Sequence, residues 1–427
     1  MKICVIGLGK IGLPLAVHFA KMGNEVTGSD INDKTVSMIN DGLEPFPEEE
    51  NLQNFLTEVV DNGSLVATTD NEAAVSISDV VIVVVPLFVD ENAKPDFVAM
   101  DAVTKDIAMS MKPGTLVSYE TTVPIGTTRD RFLPVLENLS GLVAGRDFNL
   151  VFSPERVLTG RVFSDLRKYP KIVGGITEKC TKRGVEFYSK TIVFDPREDL
   201  SQPNGVWPVE SSEAAEFVKL AETTYRDVNI GLANQFSEFA RKKKLDIHQI
   251  ISAANSQPYS HIHTPGISVG GHCIPIYPQF YMWNDRDASI VSAARSLNAS
   301  MPSNAIQLLK QRAGSLAEKK VALLGISYRP GVKETAFSGS LDLLKLLKKE
   351  KAEVYASDPL YSREEIIELG FKVLLDTADI DIIILHTAHL EFKEIDFAKF
   401  SSLKYVLDGR NFINAPTDLN HLEFIKL

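Results

Sequence analysis

The chain has 427 residues, 44% hydrophobic and 24% charged, which is enough for two or three domains with ample cores. A formal net charge of −11 excludes the basic footprint of a nucleic-acid or acidic-membrane binder, so an anionic substrate would need a locally basic pocket. Three scattered cysteines, Cys4, Cys180 and Cys273, exclude a disulfide framework and a cysteine metal site, which fits a reducing compartment. No signal peptide precedes the first strand and no apolar run is long enough for a membrane span. A cytoplasmic protein without bound metal is expected.

In chain order, Lys2-Ile3-Cys4-Val5-Ile6 is an apolar run fit for a buried parallel strand, with Cys4 in the core. Gly7-Leu8-Gly9-Lys10-Ile11-Gly12 follows at once, then a helix from Leu13 to Met22 that ends at Gly23. A second strand, Glu25 to Asp30, closes on an acid. This is the dinucleotide fingerprint in its required context. Gly7, Gly9 and Gly12 allow the tight turn and the approach of a pyrophosphate to the helix N-terminus beside Lys10 and Ile11. Asp30 is placed to accept the adenosine ribose hydroxyls, which favours NAD over NADP.

Further buried strands are expected at Asp79–Val85, ending in Pro86, at Gly114–Glu120 and at Asn149–Phe152. The last two lead into Thr121-Thr122-Val123-Pro124-Ile125-Gly126-Thr127 and Ser153-Pro154-Glu155-Arg156. Strands alternating with helices predict a doubly wound α/β sheet, and ligands gather at the carboxyl ends of such strands, where Pro86, Thr121, Thr122 and Glu155 fall. The threonines also suit the capping of a helix in the 127–136 segment.

From Val209 to about Lys244 the pattern is helical and longer than a typical globular helix, which predicts two helices or a kinked one and a place for a dimer interface. Lys219 lies on it, a position that more often carries a solvated charge than a catalytic one. Gly270-Gly271-His272-Cys273-Ile274-Pro275 then presents one thiol behind two glycines and ahead of a stiffening proline. A tight turn with a small buried thiol accounts for it equally well. Beyond it, Lys319–Ile326, a helix near Leu341–Lys349 and Glu353–Pro359 repeat the strand–helix–strand–acid rhythm without the three-glycine turn, with further strands at Ile380–Leu385 and Tyr405–Leu407. The expected division is a nucleotide-binding domain over 1–200, a central helical region carrying the cysteine loop over 201–300, and a second Rossmann-like domain over 301–427.

These motifs, together with Val218-Lys219-Leu220, Thr224-Tyr225-Arg226, Gly325-Ile326-Ser327-Tyr328-Arg329-Pro330 and Lys333-Glu334-Thr335, resemble the UDP-glucose/GDP-mannose dehydrogenase family over nearly the whole length. The resemblance implies oxidation of a sugar C6 alcohol to the carboxylate with two NAD⁺. It implies Cys273 as the thiol that forms the thiohemiacetal and thioester, and Lys219 as the cation stabilising oxyanions at C6. Glu155 would manage protons or the hydrolytic water through Thr122. Glu155, Arg156, Lys219, Thr223, His263, Gly270, Tyr328 and Arg329 would line the substrate site. It also implies a homodimer or larger homo-oligomer.

The chain departs from the family pattern in several places. Thr223 stands where an asparagine is common, Tyr277 where many members have aspartate, Thr159 at the second acid of the Glu155 loop and Ala336 where an arginine is frequent. His261 or His263 takes the place of an arginine ahead of the cysteine loop. The His272-Cys273 pairing looks more like the branch acting on UDP-N-acetylhexosamines such as N-acetylmannosamine, with UDP-glucose as the alternative and a product destined for cell-surface polysaccharide. A two-electron hydroxyacid dehydrogenase would share the Rossmann start without needing Cys273. A dinucleotide sensor would bind NAD without reducing it.

Overall fold

A computed structural model describes residues 1–90, 92–375, 379–414, 419 and 421–427. They fall into two compact units, Met1–Glu222 with Gln279–Asp285, and Thr223–Pro278 with Arg286–Leu427.

The first unit is built on an eight-stranded sheet in the spatial order Val206–Pro208, Lys171–Gly175, Asn149–Phe152, Leu116–Tyr119, Val80–Val83, Lys2–Ile6, Glu25–Ser29, Leu65–Thr68. Neighbouring strands are parallel except Lys171–Gly175, which runs antiparallel to Asn149–Phe152. The central strands Lys2–Ile6 and Val80–Val83 read as apolar runs, as strands buried on both faces do. Ile3, Val5, Leu13, Leu15, Phe19, Val80 and Ile82 are all at 0% exposure in the core beneath the first helix, Gly12–Lys21. Cys4 is fully buried in the first strand, and that burial pushes its thiol up to about 12. Strand order reverses between Lys2–Ile6 and Val80–Val83, so the glycine turn that follows Ile6 opens at the switch point, where such sheets bind ligands.

The second unit holds a six-stranded, all-parallel sheet in the order Lys372–Val373, Glu353–Ser357, Lys320–Leu324, Ile382–Leu385, Tyr405–Asp408, Glu423–Lys426. Its strand Lys320–Leu324 sends Val321 and Leu323 into one core and Ala322 and Leu324 into another, one on each face. Two doubly wound sheets and helices between them in sequence give the expected α/β architecture.

The segment expected to form two helices or a kinked one is a single helix, Ser212–Lys242. Its interior contains no proline, and its one glycine, Gly231, serves packing. A Cβ there would stand 3.0 Å from that of Ala294 on the helix Ser289–Ala313. The close approach lets Asn234 donate to Asn298 at 2.8 Å and Arg295 pair with Asp227 at 2.7 Å, all of them buried. Buried contacts of this kind add to the helix's own propensity.

Candidate active site

The glycine turn is shaped by contact. Gly7 has φ +93°, and a Cβ on Gly12 would lie 1.8 Å from the Gly7 carbonyl oxygen, so only glycine closes the turn onto the helix. Gly9 faces open space, with no atom within 4 Å of where its Cβ would sit. Asp30 Oδ2 accepts from the Leu8 N–H at 2.8 Å and its Oδ1 from Asn32 at 2.9 Å, which fixes the carboxylate at the end of the second strand. The first turn of the helix carries no acid. Open backbone, a helix N-terminus and an oriented carboxylate fit a dinucleotide's pyrophosphate and adenosine ribose. Lys10 reaches Glu48 at 3.2 Å, and Pro86 lies exposed after its strand.

The threonine loop is strapped down from three directions. Thr121 Oγ1 donates to the Val85 carbonyl at 2.7 Å. Asn284 brackets Ile125, accepting from its N–H at 2.8 Å and donating to its carbonyl at 2.9 Å. Glu216, on the first turns of the long helix, accepts from Gly126 N–H at 2.6 Å and from the N–H and hydroxyl of Thr128 at 2.8 and 2.6 Å. The helix that begins at Thr128 is therefore capped by Glu216 rather than by Thr121 or Thr122. Thr122 is buried at 4% exposure, and Lys219, one turn beyond Glu216, at 6%. Lys219 is thus not the solvated charge its sequence position first suggests.

Glu155 lies in a buried charge cluster. Its Oε2 receives Lys171 Nζ at 2.8 Å, and its Oε1 accepts from the N–H groups of Arg156 and Val157 at 2.7 and 3.1 Å. Lys171 Nζ also reaches Glu120 Oε2 at 2.6 Å, and Glu120 Oε1 takes the Tyr188 hydroxyl at 2.6 Å. Burial alone would raise the Glu155 carboxyl, but Lys171 and the backbone donors hold it below its ordinary range. Burial pushes Glu120 up to about 7 against the pull of Lys171. Arg156 pairs with Glu222 at 2.8 Å. Glu120 and Lys171 were absent from the sequence-based site. Their signals were an acid ending a buried strand, and a lysine opening the apolar run Lys171–Gly175.

In the second unit the two glycines of the cysteine loop lie against Tyr328. A Cβ on Gly270 would meet Tyr328 Cβ and the Phe337 carbonyl at 2.8 Å each, and one on Gly271, at φ +92°, would meet the Tyr328 ring at 2.8 Å. The Gly325–Pro330 block therefore seats the loop, and Arg329 Nε donates to the Tyr328 hydroxyl at 3.0 Å. His272 turns to Glu334 at 3.4 Å. Cys273 accepts from the Tyr277 N–H at 2.9 Å through its carbonyl, in the turn entering the helix Tyr277–Asn284, and the buried Arg295 donates to the Ile274 carbonyl at 3.3 Å. Cys273 is partly exposed, whereas Cys4 and Cys180 are buried. Thr223 is buried at 2%. The His263 N–H donates to Asn229 at 2.9 Å, and burial lowers the pKa of its ring. Of the expected residues, the first unit holds Thr121, Thr122, Glu155, Arg156 and Lys219. The second holds Thr223, His263, Gly270, Cys273, Tyr328 and Arg329.

A Rossmann sheet with a complete dinucleotide turn, followed by a helical region and a second doubly wound sheet, defines a nicotinamide-dinucleotide dehydrogenase class. Family models for the UDP-glucose/GDP-mannose dehydrogenases match in sequence order: the NAD binding domain over 1–192, the central domain over 213–305 and the UDP binding domain over 322–415. A UDP-N-acetyl-D-mannosamine dehydrogenase of Pyrococcus horikoshii is 35% identical, with 97% of each chain covered. A solved UDP-D-ManNAc dehydrogenase structure from that organism superposes with TM-score 0.90 at 33% identity, covering 100% of this chain and 99% of the other. An NDP-N-acetyl-D-galactosaminuronic acid dehydrogenase of Ralstonia nicotianae is 30% identical over 97% of this chain and 96% of its own. The chain belongs to the UDP-glucose/GDP-mannose dehydrogenase family. It is an NAD-dependent nucleotide-sugar dehydrogenase. Among the described residues no helix is long and apolar enough to cross a membrane.

Proposed function

We propose that the enzyme oxidises C6 of a UDP-N-acetylhexosamine, UDP-N-acetyl-D-mannosamine foremost, to the uronic acid in two successive two-electron steps on one bound substrate. The observation that carries the covalent part is Cys273, the one partly exposed thiol, presented by a loop whose glycines are dictated by Tyr328. The names of the full-length relatives at 30–35% identity support an N-acetylated sugar.

Bound NAD supplies the hydride acceptor, once for each step. The chain's own groups do the rest. Lys219, buried on the long helix, stabilises the oxyanion at C6 as the alcohol passes its proton to solvent water. The Cys273 thiolate adds to the aldehyde carbon, forming a C–S bond and holding the intermediate as a thiohemiacetal. Loss of the second hydride leaves a thioester. Water then gives one proton to Glu155 with Thr122 beside the path, its oxygen adds to the carbonyl, the C–S bond breaks and the thiolate leaves. Pro86, Thr121 and the Gly7–Gly12 turn with Asp30 hold the cofactor. Arg156, Thr223, His263, Gly270, Tyr328 and Arg329 hold the nucleotide sugar.

The reading extends to a three-part division at about 200 and 300, a homodimer formed through the long helix, a cytoplasmic location and a product used in cell-surface polysaccharide. The test is NADH production against a panel of UDP-, GDP- and TDP-sugars. Two NADH per uronic acid with UDP-N-acetyl-D-mannosamine is the expected result. Turnover with UDP-glucose alone would reassign the substrate, and one NADH per product would overturn the four-electron scheme.

A further inference from the structure

Glu155 does not stand alone. Two carboxylates share one ammonium in a largely buried cluster: Lys171 is 5% exposed, Glu120 0% and Glu155 11% in their side chains. The cluster carries one more carboxylate than cation, and burial disfavours that surplus charge. A proton entering the cluster therefore has two possible hosts, and the geometry separates them. Glu155 Oε1 is already committed to the N–H groups of Arg156 and Val157, donors that favour the ionised form. Glu120 faces a hydroxyl, Tyr188, itself linked to Ser118 Oγ at 2.7 Å, and a hydroxyl can turn to receive a proton from it.

We propose that Lys171 and Glu120 are positioning residues, which hold the Glu155 carboxylate in one orientation and in its ionised form, ready to take a proton from the hydrolytic water. Glu120 hosts the surplus proton in place of Glu155. The charged and titratable groups around Glu155 are Lys171, Glu120, Tyr188, Arg156, which is engaged with Glu222, and His18, whose ring bonds the Thr191 carbonyl. The proposal rests on the role given to Glu155 above.

The test uses the full-length enzyme with NAD⁺ and UDP-N-acetyl-D-mannosamine, or with UDP-glucose if the panel selects it. Lys171→Met, Lys171→Arg, the double Lys171→Met/Glu120→Gln, and Glu155→Gln are compared. Expected for Lys171→Met is a kcat lower by about tenfold or more, the scale of a mispositioned acid–base group. Its KM for the sugar should stay within about twofold, as for an interaction made only in the transition state. The acid limb of its kcat–pH profile should move to higher pH, and thioester should build up on Cys273 in intact-protein mass spectra. Lys171→Arg should recover most of the rate. The double variant, which removes the cation and replaces the protonated Glu120 by a neutral amide of the same shape, should be as low in kcat as Lys171→Met. Should Lys171→Met fail to fold, the double variant decides alone. An unshifted pH profile, or a double variant restored in both stability and kcat, would reduce Lys171 to a structural pair and overturn the proposal. A Glu155→Gln enzyme at the wild-type rate would instead overturn the role of Glu155. A crippled Glu155→Gln beside an unaffected Lys171→Met would sink the positioning proposal alone.

Discussion

Cys273 and Asp30 carry the sharpest consequences at the scale of single residues. Serine at 273 keeps the size of the side chain and loses the thiolate, so steady-state turnover should fall by at least about a thousandfold, as on removing a nucleophile. NAD⁺ affinity, set in the other unit, should be retained. Stopped-flow NADH formation and a binding titration check both halves. Asp30 is fixed by Leu8 and Asn32, and its carboxylate would repel a 2′-phosphate. The kcat/KM with NAD⁺ should exceed that with NADP⁺ by about tenfold or more, the cost of placing like charges together. Equal values would remove Asp30 from that role.

Among the elements, the first helix and the long helix make separable predictions. Alanine at Gly9 meets open space in the folded chain, so thermal stability should stay within about 0.5 kcal/mol of wild type, while the methyl obstructs the pyrophosphate and NAD⁺ affinity drops. Alanine at Gly12 must displace the Gly7 carbonyl and should cost about 1–3 kcal/mol. Calorimetry of the two variants with and without NAD⁺ separates ligand contact from turn geometry. On the long helix, burial raises Glu216 to about 7 despite three donors, from an ordinary 4.5. The folded chain then holds one more proton than the unfolded chain between those values, so this group's contribution to stability falls as pH rises through that window. Glu216→Gln removes the dependence, and its Tm relative to wild type should be higher at pH 8 than at pH 5. A difference independent of pH would show that Glu216 is ionised throughout.

For the whole molecule the prediction concerns assembly. Tyr225, Leu232, Phe236 and Phe239 are 55%, 43%, 40% and 60% exposed, and their spacing places them along one stripe of the long helix. A solvent-facing stripe of that kind marks an interaction surface. Multi-angle light scattering should report at least a dimer at micromolar concentration, and Phe239→Glu should shift it toward monomer. A monomeric wild type would sink the dimer proposal.

What the sequence determined by itself was whatever depends on local spacing. The three-glycine turn, the acid closing the second strand and the cysteine loop are contiguous stretches, legible in the chain without the fold, and they carry the family resemblance. Buried parallel strands were legible as apolar runs because helices on both faces demand apolar side chains throughout. Tertiary structure alone decided which distant groups meet. Lys171 lies 51 residues from Glu120 and 16 from Glu155, and only the antiparallel pairing of Lys171–Gly175 with Asn149–Phe152 brings that strand beside the Glu155 loop. Glu216 is one charge among several in the sequence of the long helix, and only the fold brings Gly126 and Thr128 to its carboxylate. The packing of that helix was decided the same way, by Gly231 meeting Ala294 in a contact between residues far apart in sequence. Periodicity reports which face of an element is apolar. It carries no record of the partner that the face or the buried charge will find.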